Sequence, residues 1–231
     1  LARLAAASLA GVAAAGASAP WEQRWLLPLA VAALVLLLQR VPLRHAFAMG
    51  LLFGFGYTLV LTGWVRAVGT DAWLLMSPVV AAYYALAALG IALVGRLRGW
   101  PLWTACVWVA VETAMSSWPL GGFPWTRLAW ATVDTPFALW LPWVGATGVS
   151  FLVALSGATL GLIAGVTLCW LQQKYGLVSM GMVSSLVDAY PIKLVWSDVL
   201  LTALIIVGIT MAVSFIPARR AAQTANTSLL S

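Results

Sequence analysis

The chain has 231 residues, 63% of them hydrophobic and 8% charged, with a formal net charge of +6 and a mean hydropathy of +1.00. Soluble domains carry charge on about a quarter of their residues, so a soluble globular fold is excluded, and the apolar runs lack the alternation of a membrane barrel. What remains is an all-α, polytopic transmembrane helical bundle; its twelve Lys and Arg stand singly or in pairs at the ends of apolar runs, the pattern of membrane topology and not of a nucleic-acid partner.

Residues 4–19 form an Ala-rich run after Arg3 that ends in Ala-Ser-Ala-Pro and imitates a secretory signal. Pro20 directly after the A-x-A site disfavours cleavage, so the run is read as an uncleaved first helix. The chain begins at Leu1 instead of Met, which leaves a longer natural start open. Further spans are expected over 25–38, 46–65, 73–94, 101–116, 147–172 and 199–216, about seven in all. The hinges Gln39–His45 and Gly95–Gly99 carry Arg40, Arg44, Arg96 and Arg98, against Arg24 and Arg66 on the opposite side. The positive-inside rule therefore places the N-terminus and those two hinges in the cytoplasm.

Residues 117–146 are expected to form the longest extracytoplasmic stretch of the first 158 residues. Pro119, Gly121, Gly122 and Pro124 stop a helix there, and five Trp lie between 118 and 143. Two readings are open, an aromatic anchor at headgroup depth or a substrate-entry segment. Glu112 is the one carboxylate within an apolar span, and a charge in lipid is costly enough to suggest function by default. It serves either that role or a structural one, as partner of Arg127 or of a backbone group near the outer interface. Cys106 and Cys169 sit in apolar runs without a second Cys or His at ligand spacing, so both are expected to be inert packing thiols. His45, the only histidine, stands in a polar hinge, so no metal site, cofactor or Ser/His pair is expected.

Composition changes near Gly157. Ile occurs once in residues 1–158 and six times afterwards, Trp twelve times before and twice after, and both lysines, Lys174 and Lys193, follow the break. Genomes of different base composition leave such contrasts, so the chain reads as a fusion of two parents, 1–158 and 159–222, with a polar, disordered tail at 223–231.

The run Gly121-Gly-Phe-Pro-Trp125, preceded by Trp108-Val-Ala-Val-Glu112 and followed by Val133-Asp-Thr-Pro136 and Gly148-Val-Ser-Phe-Leu152, resembles the membrane region of bacterial apolipoprotein N-acyltransferases. Arg44-His-Ala-Phe-Ala-Met-Gly-Leu-Leu-Phe-Gly-Phe-Gly56 fits the same family. The resemblance implies a multi-pass protein of the bacterial inner membrane, with phospholipid and lipoprotein as partners. The implied reaction moves an acyl chain from phospholipid to the N-terminal Cys of a lipoprotein. It also implies that Glu112, Trp125 and Arg127 border a lateral opening for a phospholipid headgroup, where the planar fork of Arg pairs with phosphate. The family's nitrilase-like domain with its Glu/Lys/Cys triad is not recognised in this sequence. No catalytic residue is therefore assigned, and the chain alone is expected to be inactive.

The second piece, with Val187-Asp-Ala-Tyr-Pro-Ile-Lys-Leu-Val-Trp-Ser-Asp198 and Pro217-Ala-Arg-Arg220, is similar to the C-terminal helix pair of FtsX-like, lipoprotein-releasing ABC-transporter permeases. Ser197 or Asp198 would cap its final span, and Arg219 and Arg220 would face the helix C-terminus. No phosphate-binding loop and no coupling segment for an ATPase is recognised. Two rivals to the acyltransferase reading stand: a permease-like transport subunit, and a chimera without evolved function. The two halves also disagree on topology. Seven spans, favoured by hydropathy, leave Arg219 and Arg220 outside; the permease order places them in the cytoplasm.

Overall fold

The computed structural model describes residues 1–175 and, beyond them, the helical positions Ser197, Leu200, Leu201 and Leu204. The expectations for Lys193, the Asp198 cap, most of the final span, Pro217, Arg219, Arg220 and the tail 223–231 lie outside the described residues.

Among the described residues there are α-helices and 3-10 turns and no strand. The helices are α1 (Ala2–Ala15), α2 (Leu26–Leu37), α3 (Leu43–Leu61), α4 (Thr70–Val94), α5 (Trp100–Met115) and α6 (Leu141–Tyr175). Each expected span up to 172 overlaps one of them. By length and composition α3, α4 and the segment Pro136–Tyr175 can cross a membrane, whereas α1 and α2 are shorter apolar helices. At ~1.5 Å per residue, the 12 residues of α2 reach ~18 Å, less than the ~30 Å hydrocarbon core. Hydrogen-bonded turns extend it, with Leu26 N–H to Gln23 C=O at one end and Gln39 N–H to Leu36 C=O at the other.

Local chemistry sets the boundaries. Pro42 stands extended before α3 (φ −62, ψ 146), and its carbonyl accepts the N–H groups of His45 and Ala46. Arg44 and His45, expected in a hinge, therefore lie in the first turn of α3. Gly99, left-handed at φ 69, turns the chain into α5, where a proline in the first turn forfeits no helical hydrogen bond. Gly145 (φ 65, ψ −179) breaks α6 near its start, so the regular helix runs on from about the expected position.

The principal helix contacts close a ring in the order α1, α3, α4, α5, α6, α2 and back to α1. Lipid tails give helices little hydrophobic reason to associate, so close approach over small residues matters more. On α3 a Cβ added to Gly54 would stand 2.7 Å from the Ala81 Cα of α4. On α6 a Cβ at Gly157 would stand 2.8 Å from the Pro28 carbonyl of α2. The composition break thus falls inside one continuous helix. The interior is aromatic between α3, α4 and α5: Phe53 meets Trp108 edge-on at 6.1 Å and Tyr57 meets Tyr84 edge-on at 5.5 Å.

Cys106 is exposed on the outside of α5 and Cys169 is half-buried. Both were expected as packing thiols. The ring buries Ala105 and Trp108, which turns Cys106 outward, since helix neighbours share a face only at three- and four-residue spacing.

Candidate functional site

Glu112 lies one turn before the end of α5 and is only 3% exposed. Its Oε1 accepts two hydrogen bonds, from Trp108 Nε1 at 2.9 Å and from the backbone N–H of Leu128 at 2.9 Å. The first follows from helical geometry, because residues four apart share a face. The second fastens the chain between α5 and α6.

Leu128 opens a 3-10 turn, Leu128–Thr132, that has no cap from its own N-cap residue. The first N–H groups of a helical turn lack internal partners, and in a membrane interior an unpaired one is expensive. Neighbouring helices supply both acceptors here: Glu112 of α5 takes the Leu128 N–H, and Ser150 Oγ of α6 takes the Ala129 N–H at 3.2 Å. A negative carboxylate also suits the positive end of a helical turn.

A second set of contacts holds the chain two residues earlier. Thr126 is fully buried, and its carbonyl accepts the hydroxyls of Tyr57 (3.3 Å) from α3 and Tyr84 (3.2 Å) from α4. The Tyr83 hydroxyl reaches the Trp118 carbonyl at 2.7 Å. The segment expected to lie at headgroup depth thus also enters the bundle: Thr126, Leu128, Ala129, Ala131 and Thr132 are buried. Its Trp118, Trp125, Trp130, Trp140 and Trp143 remain exposed, as interfacial anchors would.

The three residues singled out from sequence are placed differently from one another. Trp125, 60% exposed, packs edge-on against Trp64 at 5.5 Å. Arg127 is half-buried and donates through Nε to Ser116 Oγ (2.9 Å) and through Nη1 to Thr147 Oγ1 (3.4 Å), bridging α5 and α6. Of the two structural partners open for Glu112, the structure selects the backbone: its carboxylate holds Leu128, and no ion pair within 4.0 Å joins it to Arg127. Glu112 and Arg127 therefore fasten one short strap through separate contacts, Glu112 on the Leu128 N–H and Arg127 on Ser116 and Thr147. A guanidinium has five N–H donors and these contacts use only some of them.

Tyr57, Tyr84, Ser116, Thr147 and Ser150 complete the arrangement and were not singled out from sequence. Their signal was the presence of hydroxyls inside apolar spans, which must find partners there. Beside the strap, a groove of about 340 Å³ opens between α4 and the end of α5, lined by Leu75, Val79, Tyr83, Met115, Trp118 and Phe123. Its lining is almost wholly apolar and its size falls within the usual range for a small-molecule site. Among the described residues no cluster of His, Cys, Asp and Glu could hold a metal ion.

Residues 10–159 match the apolipoprotein N-acyltransferase N-terminal domain. The chain belongs to this family. It is 35% identical over 175 residues to the apolipoprotein N-acyltransferase of Chromobacterium violaceum, an alignment covering 70% of this chain and 34% of that protein. The enzyme of the same name from Shewanella oneidensis is 28% identical over 177 residues, covering 69% and 34% of the two chains. That from Mycolicibacterium smegmatis is 34% identical over 125 residues, covering 54% and 21%. The chain spans about a third or less of the length of these curated relatives. The N-acyltransferase match includes Glu112, Trp125 and Arg127 and ends within two residues of the composition break.

Proposed function

We propose that residues 1–158 are the membrane part of an apolipoprotein N-acyltransferase in a bacterial inner membrane, and that they receive a phospholipid at the outer face. The observation that carries this reading is the strap 123–132, held from four helices by Tyr57, Tyr84, Glu112 and Ser150. In this reading the strap carries Trp125 and Arg127 to the border of an apolar groove, which its own first residue, Phe123, lines. In this reading an acyl chain lies in the groove, Trp125 borders the opening, and Arg127 offers its spare donors to the phosphate. Glu112 is a positioning residue: it touches the strap and not the lipid.

The chemistry proper, transfer of the acyl chain to the N-terminal Cys of a lipoprotein, needs an activated nucleophile. Neither described cysteine is placed to act, since Cys106 is exposed on the outer face of α5 and Cys169 lies near the far end of α6. The transfer is assigned to a nitrilase-like domain of the kind the family resemblance implies, and this chain alone is expected to show no turnover. Seven spans are proposed, with Arg219 and Arg220 outside; a C-terminal reporter active only outside the cytoplasm reads this, and silence on inserted protein would reverse it. The change in Ile, Lys and Trp usage supports a second reading for 159–222, as a permease-like helix pair from another parent, without an ATPase partner.

A phospholipid carrying a photoreactive acyl chain tests the groove. Labelling should concentrate on Leu75, Val79, Tyr83 and Phe123, and labelling spread evenly around all helices would contradict the proposal.

A further inference from the structure

A second cavity lies at the other end of the bundle. It has a volume of about 650 Å³ and is walled by the α2–α3 turn, the α4–α5 turn and the side of α6. Arg40, Arg96 and Arg98 line it together with Gln39, while Ile91 and Leu162 form its apolar side. All three arginines are exposed. No ion pair or side-chain hydrogen bond of theirs occurs among the described residues, where the ion pairs belong to Arg24. Among the described residues no acid lies beside them: Glu22, Asp71 and Asp134 belong to turns and a helix start at the opposite end, and Glu112 is near the end of α5 that leads there. Arg40 moreover holds a left-handed backbone, φ 54, a conformation in which a bulky residue is uncommon and strained.

Like charges do not gather around a void without cost, and helix C-termini account for a cation at each turn but not for their convergence on one cavity. Guanidinium forks match phosphate oxygens, and basic pockets between helices on the cytoplasmic side suit anionic headgroups. We propose that this cavity binds the phosphate of an anionic phospholipid from the inner leaflet. Arg40, Arg96 and Arg98 engage the headgroup, and the wall at Ile91 and Leu162 receives the start of the acyl chains. The site is separate from the outer groove, and its readout is binding, so it stands or falls independently of acyl transfer.

The test uses the full chain purified in detergent, with lipid retention followed by native mass spectrometry. Wild type should retain phosphatidylglycerol over phosphatidylcholine, with about a fivefold loss for each arginine changed to Gln and a loss on the order of 100-fold for R40Q/R96Q/R98Q. Because removing three charges can disturb insertion, Leu162→Trp provides a variant that fills the cavity and leaves every charge; it should abolish the preference too. Equal retention of the two lipids by wild type, or a preference unchanged in L162W and in the single Arg→Gln variants, overturns the proposal. Inorganic phosphate separates the sources. Competition at millimolar concentration against bound phosphatidylglycerol supports the phosphate contact, whereas saturation by phosphate with no lipid preference overturns the assignment to a lipid.

Discussion

Replacing Glu112 by alanine leaves two buried donors, the Leu128 N–H and Trp108 Nε1, without the acceptor each now has at 2.9 Å. An unsatisfied buried donor costs roughly 1–3 kcal/mol, so Glu112→Ala should destabilise the strap by roughly 2–6 kcal/mol, before any cavity term. Glu112→Gln keeps an acceptor oxygen in the same place and loses only the strengthening that charge gives a hydrogen bond, a cost of about 1 kcal/mol. Alanine and glutamine should therefore differ clearly, which a role for Glu112 as a charge facing substrate would not require. Amide hydrogen exchange of the purified protein measures it at Leu128 and Ala129. Protection should fall by about tenfold or more in E112A for every 1.4 kcal/mol lost locally, and E112Q should stay near wild type. If E112A leaves Leu128 protected, or if E112Q is as damaging as E112A, the carboxylate is not the fastening of the strap.

Other consequences follow from the same contacts. Tyr57→Phe and Tyr84→Phe each leave the buried Thr126 carbonyl one donor, so each should cost about 0.5–1.5 kcal/mol. The double variant should cost more than their sum in thermal unfolding, and strict additivity would show that the two hydroxyls do not share that carbonyl. Cysteines at Ser116 and Arg127, whose side chains meet at 2.9 Å, should crosslink readily with short reagents in membranes; failure to do so would place the strap elsewhere. Gly54→Val forces side-chain atoms into α4, where even the first carbon would stand 2.7 Å from Ala81 Cα, and should cost about 3 kcal/mol of stability. In bilayers an apolar maleimide should label Cys106 and a charged one should not, because the residue is exposed on an apolar helix; equal labelling by both would contradict a lipid-facing position.

The helices were legible because hydropathy and Pro/Gly punctuation act locally: the expected 73–94 and 101–116 lie within three residues of α4 and α5 at each end. The strap was not, since its fastenings join residues far apart in sequence, such as Tyr57 with Thr126 and Ser150 with Ala129. Sequence marked Glu112 as costly and therefore engaged, but it could not choose between Arg127 and a backbone group as the partner. A Trp-rich segment with Pro and Gly reads as interfacial whether or not its intervening residues enter the bundle. For Cys106, an apolar neighbourhood in sequence was equated with burial, although in a membrane the outward face of a helix is just as apolar as the inward one. The convergence of Arg40, Arg96 and Arg98 was visible only as a charge bias between hinges until the turns were seen to wall one cavity.

The most direct test of the account replaces the matching membrane region of the Chromobacterium violaceum relative with residues 10–159 of this chain. Acyl transfer to a diacylated lipoprotein peptide is then followed by mass. The account predicts that the exchanged protein transfers an acyl chain and that Trp125→Ala and Arg127→Gln reduce the rate, about tenfold or more for the arginine if one phosphate contact is lost. An exchanged protein that is folded and inserted but transfers nothing, or one whose rate ignores both substitutions, would contradict it.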